Sequence, residues 1–188
     1  MKIRFWQKTY LFTILLFLTC LYIGIFSLAF YTYHRNLENA ENACRAEQQY
    51  IATSFERDYR DLSETSGTSN PLLLMHSYGS NYEKQQIYLT FSENDQSVYS
   101  TFHNKPNSPV IGTISQSRIN NVRHILIASE ICDGKYTLVY GKSASYIDKE
   151  FSALITTYTL VAFFVSIILA VSLVFLLKRL STPLEKLR

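Results

Sequence analysis

Residues 9–33 are TYLFTILLFLTCLYIGIFSLAFYTY and residues 151–177 are FSALITTYTLVAFFVSIILAVSLVFLL, and neither stretch contains a charged side chain. A helix over either stretch, at about 1.5 Å of rise per residue, is roughly 37–40 Å long, whereas the hydrocarbon core of a bilayer is about 30 Å thick. We therefore predict two membrane-spanning helices. They separate a short N-terminal segment, residues 1–8, from a central polar domain, residues 34–150, and a C-terminal tail, residues 178–188.

The charges differ between these segments. The two ends of the chain together carry a net charge of +6 and residues 34–152 carry −3, which gives the +3 of the whole chain. Lys and Arg next to a membrane span remain in the cytoplasm, so we expect both termini to be cytoplasmic and residues 34–150 to be extracellular. The first apolar stretch is longer than the roughly 7–15 residues of a signal-peptide core, and we expect it to be retained.

The composition disfavours several classes of function. Neither apolar stretch contains an ionisable acid or base, whereas transporters and channels need polar groups at membrane depth. The six glycines are not clustered as in a nucleotide-binding loop, and the chain has no Ser-His-Asp arrangement or paired-acid site. We expect no catalytic residue, no cofactor and no nucleic-acid partner for residues 1–188.

The three cysteines leave two alternatives open. Cys20 lies in the first apolar stretch, whereas Cys44 and Cys132 lie in the central domain, where an extracellular disulfide could join them. The alternative is that both remain unpaired, buried small residues. No CxxC pair or Cys/His group has the spacing of a zinc site, and we predict no metal.

A long helix is predicted from His34 to about Ser63, where the chain has no Pro or Gly and is rich in helix-forming residues. Leu37, Ala40, Cys44, Ile51, Phe55, Tyr59 and Leu62 recur mostly at three, four and seven residues and mark one apolar face. We expect the opposite face, which includes Gln48, to be solvated. After a turn, the segment from Pro71 to Met75 is predicted to form a second short helix or turn.

Alternating residues then predict strands. The predicted segments are a hairpin over Gln86–Phe91 and Ser97–Phe102, a short strand over Val110–Ile114, a long strand over Ile119–Ile131, and a last strand over Tyr136–Gly141. An exit helix is expected from Ser143 to Glu150, with Ser143 or Ser145 at its N-cap. We therefore predict an α+β membrane protein in which a long N-terminal helix packs on an antiparallel sheet of about five strands.

This order of elements resembles the extracytoplasmic sensor domain of bacterial receptor kinases, of the PAS-like or single-Cache fold. In that family a long helix from the first span packs on a five-stranded antiparallel sheet, and the last strand leads into the second span. Arg123–Ala128 and Tyr136–Gly141 resemble the family's final hairpin, and Tyr146–Phe151 resembles its exit helix.

The end of the chain resembles the opening of a HAMP linker. Such a linker begins with a basic residue just after the last span, followed by Pro-Leu and a further Leu, here Pro183, Leu184 and Leu187. Pro suits the first turn of a new helix, and Leu180, Leu184 and Leu187 have the spacing of a coiled-coil seam. The alternative is a charged tail, broken by Pro, that only stops membrane transfer.

The resemblance implies the sensory and relay part of a two-component sensor histidine kinase in a bacterial cell membrane. It implies a parallel homodimer, an unidentified extracellular ligand or partner protein, and a longer parent receptor. That parent would autophosphorylate with ATP and Mg beyond Arg188 and act on a cytoplasmic response regulator. Alternatives are the sensor part of a chemoreceptor or cyclic-dinucleotide synthase, or a two-span accessory protein that binds a partner without signalling.

Ligand-binding candidates are the polar and aromatic residues in the stretch where PAS-like sensors hold their pocket. They are Arg123, His124, Tyr88, Tyr99, Arg118 and His103. Because Arg123 and His124 are adjacent on a strand, they should point to opposite faces of the sheet. An inward Arg would suit a carboxylate or phosphate ligand, and an inward His would suit pH sensing. The alternative for each is an ordinary surface or core role.

Overall fold

The computed structural model describes residues 5–66, 70–103 and 109–185. The chain divides into two compact units, one of Met1–His34 with Lys149–Arg188 and one of Arg35–Asp148. The helices are α1 (Phe5–Ser66), α2 (Pro71–Glu83) and α3 (Ser145–Glu185). The strands are β1 (Ile87–Glu93), β2 (Gln96–Ser100), β3 (Ile114–Ile119), β4 (Val122–Ile131) and β5 (Tyr136–Ser143). The predicted α+β class is confirmed.

The long helix expected after the first apolar stretch is confirmed in α1, which runs without a break through the residues from 34 to 66. Its fully buried positions after residue 34 recur every three or four residues, and they are Ala40, Cys44, Gln48, Ile51 and Phe55. The ring of Phe55 lies 4.8 Å from that of Phe91 on β1, so this face packs on the sheet. The prediction that Gln48 lies on a solvated face is wrong, because its side chain is only 3% exposed.

Helix α2 begins where the turn chemistry predicts and extends further than expected. The Asn70 side chain accepts a hydrogen bond from the backbone N–H of Leu72, and Pro71 occupies the first turn, where its missing N–H costs nothing. The helix then packs on β1 and β2. It approaches β2 so closely at Gly79 that a Cβ atom there would lie 2.3 Å from the Tyr99 ring.

The five strands form one antiparallel sheet in the order β2-β1-β5-β4-β3. The predicted first hairpin is confirmed as β1 and β2, which are joined by Asn94 and Asp95. The chain also turns at Asn120 and Asn121, and all four of these residues have positive φ. Asn and Asp tolerate that conformation better than other residues that carry a side chain.

Two strand predictions in the middle of the domain are wrong. The strand predicted over 119–131 is interrupted, because Asn120 and Asn121 turn the chain between β3 and β4. The segment 110–114 contributes only an isolated bridge from Ile111 to Ala128 and the first residue of β3. The third strand instead occupies residues 114–119, most of which lie between the two predicted strands. Five strands are present. The predicted final hairpin is confirmed as β4–β5, in which Ile131 pairs with Tyr136, and β3–β4 is an additional hairpin that was not predicted.

Alternate residues of each strand point to opposite faces of the sheet. The face that packs against α1, here called the helix face, carries a row of Leu89, Tyr140 and Ile127 across β1, β5 and β4. The other face, here called the second face, carries the adjacent row of Tyr88, Gly141 and Leu126. Leu126 is fully buried and Val139 is 4% exposed, so the second face is largely covered as well.

The unit of Met1–His34 and Lys149–Arg188 consists of the apolar parts of α1 and α3. Each helix is long and apolar enough to cross a membrane. Most of their large apolar side chains are exposed, whereas Ala29 and Ala162 are each 1% exposed, and the Tyr33 and Phe151 rings lie 4.6 Å apart. The Thr19 hydroxyl donates to the backbone carbonyl of Leu15, which satisfies it within its own helix. Small buried residues and self-satisfied hydroxyls both suit helix packing in an apolar medium.

Candidate functional site

A polar cluster joins α1 to the helix face of the sheet at β5. The Tyr140 hydroxyl donates to Oε2 of Glu47 at 2.6 Å, and Nζ of Lys142 donates to the same oxygen at 2.9 Å. The cluster forms because Tyr140 and Lys142 are two residues apart on a strand and therefore point to the same face. We call Glu47, Tyr140 and Lys142 the Glu47 cluster.

Burial makes any break in the hydrogen bonds of the Glu47 cluster energetically costly. Tyr140 is fully buried, whereas the side chains of Glu47 and Lys142 are about one-third exposed, at 31% and 36%. Burial, together with the hydrogen bond to Glu47, raises the pKa of Tyr140 well above its ordinary value, so the hydroxyl remains a donor. Removing one partner of a buried hydrogen bond costs more than the bond itself contributes, and the cluster therefore favours a single position of α1 on the sheet.

Two neighbouring side chains on α1 extend this polar contact. Nε2 of Gln48 donates to the Ser129 hydroxyl on β4. Cys44 is 4% exposed, and burial raises the pKa of its thiol, partly offset by a hydrogen bond with Tyr140. A protonated, buried thiol is a poor nucleophile, so Cys44 contributes to this interface by packing.

The disulfide considered between Cys44 and Cys132 is not formed, and both thiols are free. The backbone N–H of Cys132 donates to Oε1 of Glu56 at 2.9 Å, which places Cys132 beside a residue twelve positions after Cys44 on α1. Twelve helical residues span about 18 Å, whereas a disulfide needs Cα atoms within about 7 Å. The two cysteines therefore mark different levels of the helix–sheet interface.

The expected separation of Arg123 and His124 is confirmed. His124 points to the second face, where it is 7% exposed, and its ring lies 5.8 Å from that of Tyr88. Nδ1 of His124 lies 3.0 Å from the Val122 carbonyl oxygen. The Phe102 ring lies 5.3 Å from Tyr88, and a Cβ atom at Gly141 would lie 2.4 Å from it. The second face thus holds an aromatic group of Tyr88, Phe102 and His124 over a glycine.

Arg123 points to the helix face, where its guanidinium lies 3.6 Å from a carboxylate oxygen of Asp148 in the first turn of α3. Arg118 is the partner of Arg123 in the β3–β4 register and lies on the same face. Tyr99 belongs to neither group, because it lies on β2 against α2, and His103 is exposed next to Phe102. The six candidates are therefore spread over both faces of the sheet, the contact of β2 with α2 and the segment after β2, and they do not form one site.

The expected relay residues lie at the limit of the described chain. Residues 145–185 form one helix, so Leu180, Pro183 and Leu184 belong to α3, but their side chains are outside the described part. The structure therefore places no helix start at Pro183, and Leu187 also lies outside the described residues. Among residues 5–66, 70–103 and 109–185, no group of His, Cys, Asp or Glu side chains could hold a metal ion.

Sequence reasoning missed the residues that tie the elements together, chiefly Glu47, Tyr140, Lys142 and Asp148. The alternation of β5 indicates which side Tyr140 faces, but only the fold shows that Glu47 lies opposite it. Comparison with models of known protein families, with curated protein sequences and with solved structures finds no match. The geometry is therefore the basis for a functional proposal.

Proposed function

We propose that this chain is the sensory and transmembrane-signalling part of a sensor histidine kinase. Residues 34–150 would be an extracellular, PAS-like sensor domain, and residues 9–33 and 151–177 would be its two membrane spans. A stimulus or partner on the domain would shift α1 and α3 relative to the sheet. Residues 178–188 would be the start of a HAMP-type linker and would pass that shift on to a kinase that uses ATP and Mg.

The connectivity of β5 is the observation that carries this proposal. On β5, Tyr140 and Lys142 hold Glu47 of α1, and the strand ends at Ser143, immediately before α3 begins at Ser145. One strand is therefore bonded to the first long helix and covalently continuous with the last. A displacement of α1 against the sheet must strain the same strand that leads into the second apolar segment.

Three further observations support a receptor. The element order, a long helix followed by a five-stranded antiparallel sheet whose last strand leads into an apolar helix, has the features that the PAS-like resemblance implies. The basic ends of the chain favour cytoplasmic termini. Both α1 and α3 contain a segment long and apolar enough to cross a membrane and continue as helix into the domain sequence.

A chimera tests the proposal. Residues 1–188 would be fused to the dimerisation and catalytic parts of a characterised histidine kinase, and autophosphorylation would be measured in membranes. One residue inserted within 178–182 turns the following helix by about 100°, because an α-helix has 3.6 residues per turn. We expect this insertion to change the output several-fold.

The matched control is an insertion of seven residues at the same position, which adds about two turns and nearly restores the helical phase. We expect the seven-residue insertion to keep the output close to that of the unmodified chimera. Equal outputs from all three chimeras would contradict a relay through α3 and would favour a two-span accessory protein that only binds a partner.

A further inference from the structure

Two arginines lie directly opposite each other at the end of the β3–β4 hairpin. Arg118 of β3 is paired with Arg123 of β4, one position before the Ile119–Val122 pair that flanks the Asn120-Asn121 turn. The Arg123 carbonyl accepts a hydrogen bond from the backbone N–H of Ala144, so its main-chain groups face β5 and not β3. Such a non-hydrogen-bonded pair has Cα atoms only about 4.5 Å apart, and its side chains approach closely.

This pairing is unfavourable for the isolated domain. Like charges directly opposite on neighbouring strands destabilise a hairpin. Arg118 is exposed and forms no ion pair with any residue that the structure describes. The Arg123 side chain is 22% exposed, and its guanidinium lies 3.6 Å from a carboxylate oxygen of Asp148, a longer separation than the roughly 2.7–2.9 Å of a charge-assisted hydrogen bond.

Two acids of α1 that meet this face have other partners. Glu41 of α1 accepts a hydrogen bond from Gln116, the residue two positions before Arg118 on β3. Glu47 accepts from Lys142 and Tyr140, as described above. Two adjacent guanidinium groups on one face have the chemistry of an oxyanion site.

We propose that Arg118 and Arg123 bind a phosphate group, and that the bound phosphate competes with Asp148 for Arg123. A phosphate offers several oxygens at fixed spacing and can accept from both guanidinium forks at once, whereas one fork can satisfy a carboxylate. Asp148 tolerates the loss of this partner, because it lies in the first turn of α3, where the helix dipole favours a negative charge.

The competition connects the site to α3. The Arg123 carbonyl accepts a hydrogen bond from Ala144, and the Arg123 side chain contacts Asp148. The main chain and the side chain of Arg123 therefore both contact residues at the start of α3. Phosphate binding would keep the first contact and release the second. Binding itself does not depend on the proposed receptor function; only the transmission of this release along α3 rests on it.

Two sources supply a phosphate group to this position: the headgroup of an anionic lipid and a phosphate compound in solution. Asp148 is three residues before Phe151, where the second apolar segment begins, which makes a lipid headgroup a relevant source. The test therefore uses the full chain in lipid nanodiscs and measures the midpoint of thermal unfolding, which rises when a ligand binds only the folded state. One arm adds inorganic phosphate to phosphatidylcholine discs at constant ionic strength. The other arm replaces part of the phosphatidylcholine with phosphatidylglycerol.

We expect at least one arm to raise the midpoint for the unmodified chain. Arg118→Gln should raise the ligand concentration needed for a given shift of the midpoint about tenfold, which is the low end for the loss of a hydrogen bond between charged groups. Arg60→Gln, which removes another exposed arginine of the same unit, should leave the response unchanged. Asp148→Asn removes the competitor and should strengthen the response. A response only to phosphatidylglycerol identifies a lipid, and a response only to inorganic phosphate identifies a soluble ligand.

The proposal is overturned if neither arm shifts the midpoint, or if Arg118→Gln and Arg60→Gln respond alike. Arg123→Gln removes the contact with Asp148 and could impair folding; Arg118→Gln avoids this problem because Arg118 is exposed. If the kinase output of the chimera is unchanged by the insertions within 178–182 while the phosphate response is intact, the receptor function is rejected and the binding site is retained.

Discussion

Removing the Tyr140 hydroxyl should loosen the contact between α1 and the sheet by a predictable amount. Tyr140→Phe deletes one donor to a charged carboxylate without changing the shape of a fully buried ring. Hydrogen bonds to charged groups contribute about 1.5–3 kcal/mol. Because the Glu47 side chain is 31% exposed and water partly replaces the lost donor, we take the lower end, about 1.5 kcal/mol. This energy corresponds to roughly a tenfold increase in the population of the open interface.

The thiol of Cys44 reports on this opening, because it is 4% exposed in the same interface. The assay uses the full chain in nanodiscs with Cys20→Ala and Cys132→Ala, and it follows labelling of Cys44 by a water-soluble thiol reagent. When the interface closes faster than the reagent reacts, the labelling rate is proportional to the open fraction. We expect Tyr140→Phe to accelerate labelling about tenfold.

A second substitution separates the hydrogen bond from other effects of the ring. In a Glu47→Met background the Tyr140 hydroxyl has lost its charged acceptor and keeps only the weaker hydrogen bond with Cys44, so Tyr140→Phe should then change labelling less than about twofold. Tyr78→Phe is the matched control, because it removes a similar hydrogen bond, from the Tyr78 hydroxyl to Asp58 at 2.6 Å. Asp58 lies fourteen residues after Cys44 on α1, so this bond is remote from the labelled thiol. The reasoning is refuted if Tyr140→Phe accelerates labelling no more than Tyr78→Phe does, or equally in both backgrounds.

Three further predictions concern packing, pH and topology. Gly141→Ala should destabilise the domain by about 1–3 kcal/mol in thermal unfolding, because its Cβ would overlap the Phe102 ring, and Phe102→Leu should recover part of the loss. Burial, reinforced by Glu56, raises the pKa of the Cys132 thiol from 9.0 to about 11. The folded state therefore keeps this proton to a higher pH than the unfolded state does. The contribution of Cys132 to the free energy of unfolding should be present below pH 9 and fall between pH 9 and 11. Cys132→Ser should remove this decrease. A reporter that is active only outside the cytoplasm, fused after residue 140, should be active; an inactive reporter would reverse the proposed orientation.

The periodic parts of the fold could be predicted from the sequence. The apolar positions of α1 recur at helical spacing because one face must leave water, and this pattern identified Ala40, Ile51 and Phe55 as buried. The two-residue period of a strand likewise predicted that Arg123 and His124 face opposite sides, as their contacts with Asp148 and Tyr88 show. These features depend only on neighbours within one element.

The parts that depend on distant neighbours were missed. The β3 sequence ISQSRI alternates weakly because β3 is an edge strand with several exposed polar residues, so the Asn120-Asn121 turn was overlooked. Gln48 has a polar side chain of the kind that is usually solvated, and its burial depends on the hydrogen bond that it donates to Ser129 of β4. The contact between Glu47 and Tyr140 joins residues 93 positions apart, and no local pattern specifies such a pair.

The proposed relay depends most directly on the link between Glu47 of α1 and Lys142 of β5. In the chimera with a histidine kinase output, Glu47→Lys and Lys142→Glu each place like charges where the structure has an ion pair of 2.9 Å. We expect each single variant to shift autophosphorylation several-fold and the double variant, which reverses the pair, to return it toward the original level. Outputs that are unchanged in the single variants, while the chimera still responds to the one-residue insertion in 178–182, would contradict the claim that the domain signals through β5.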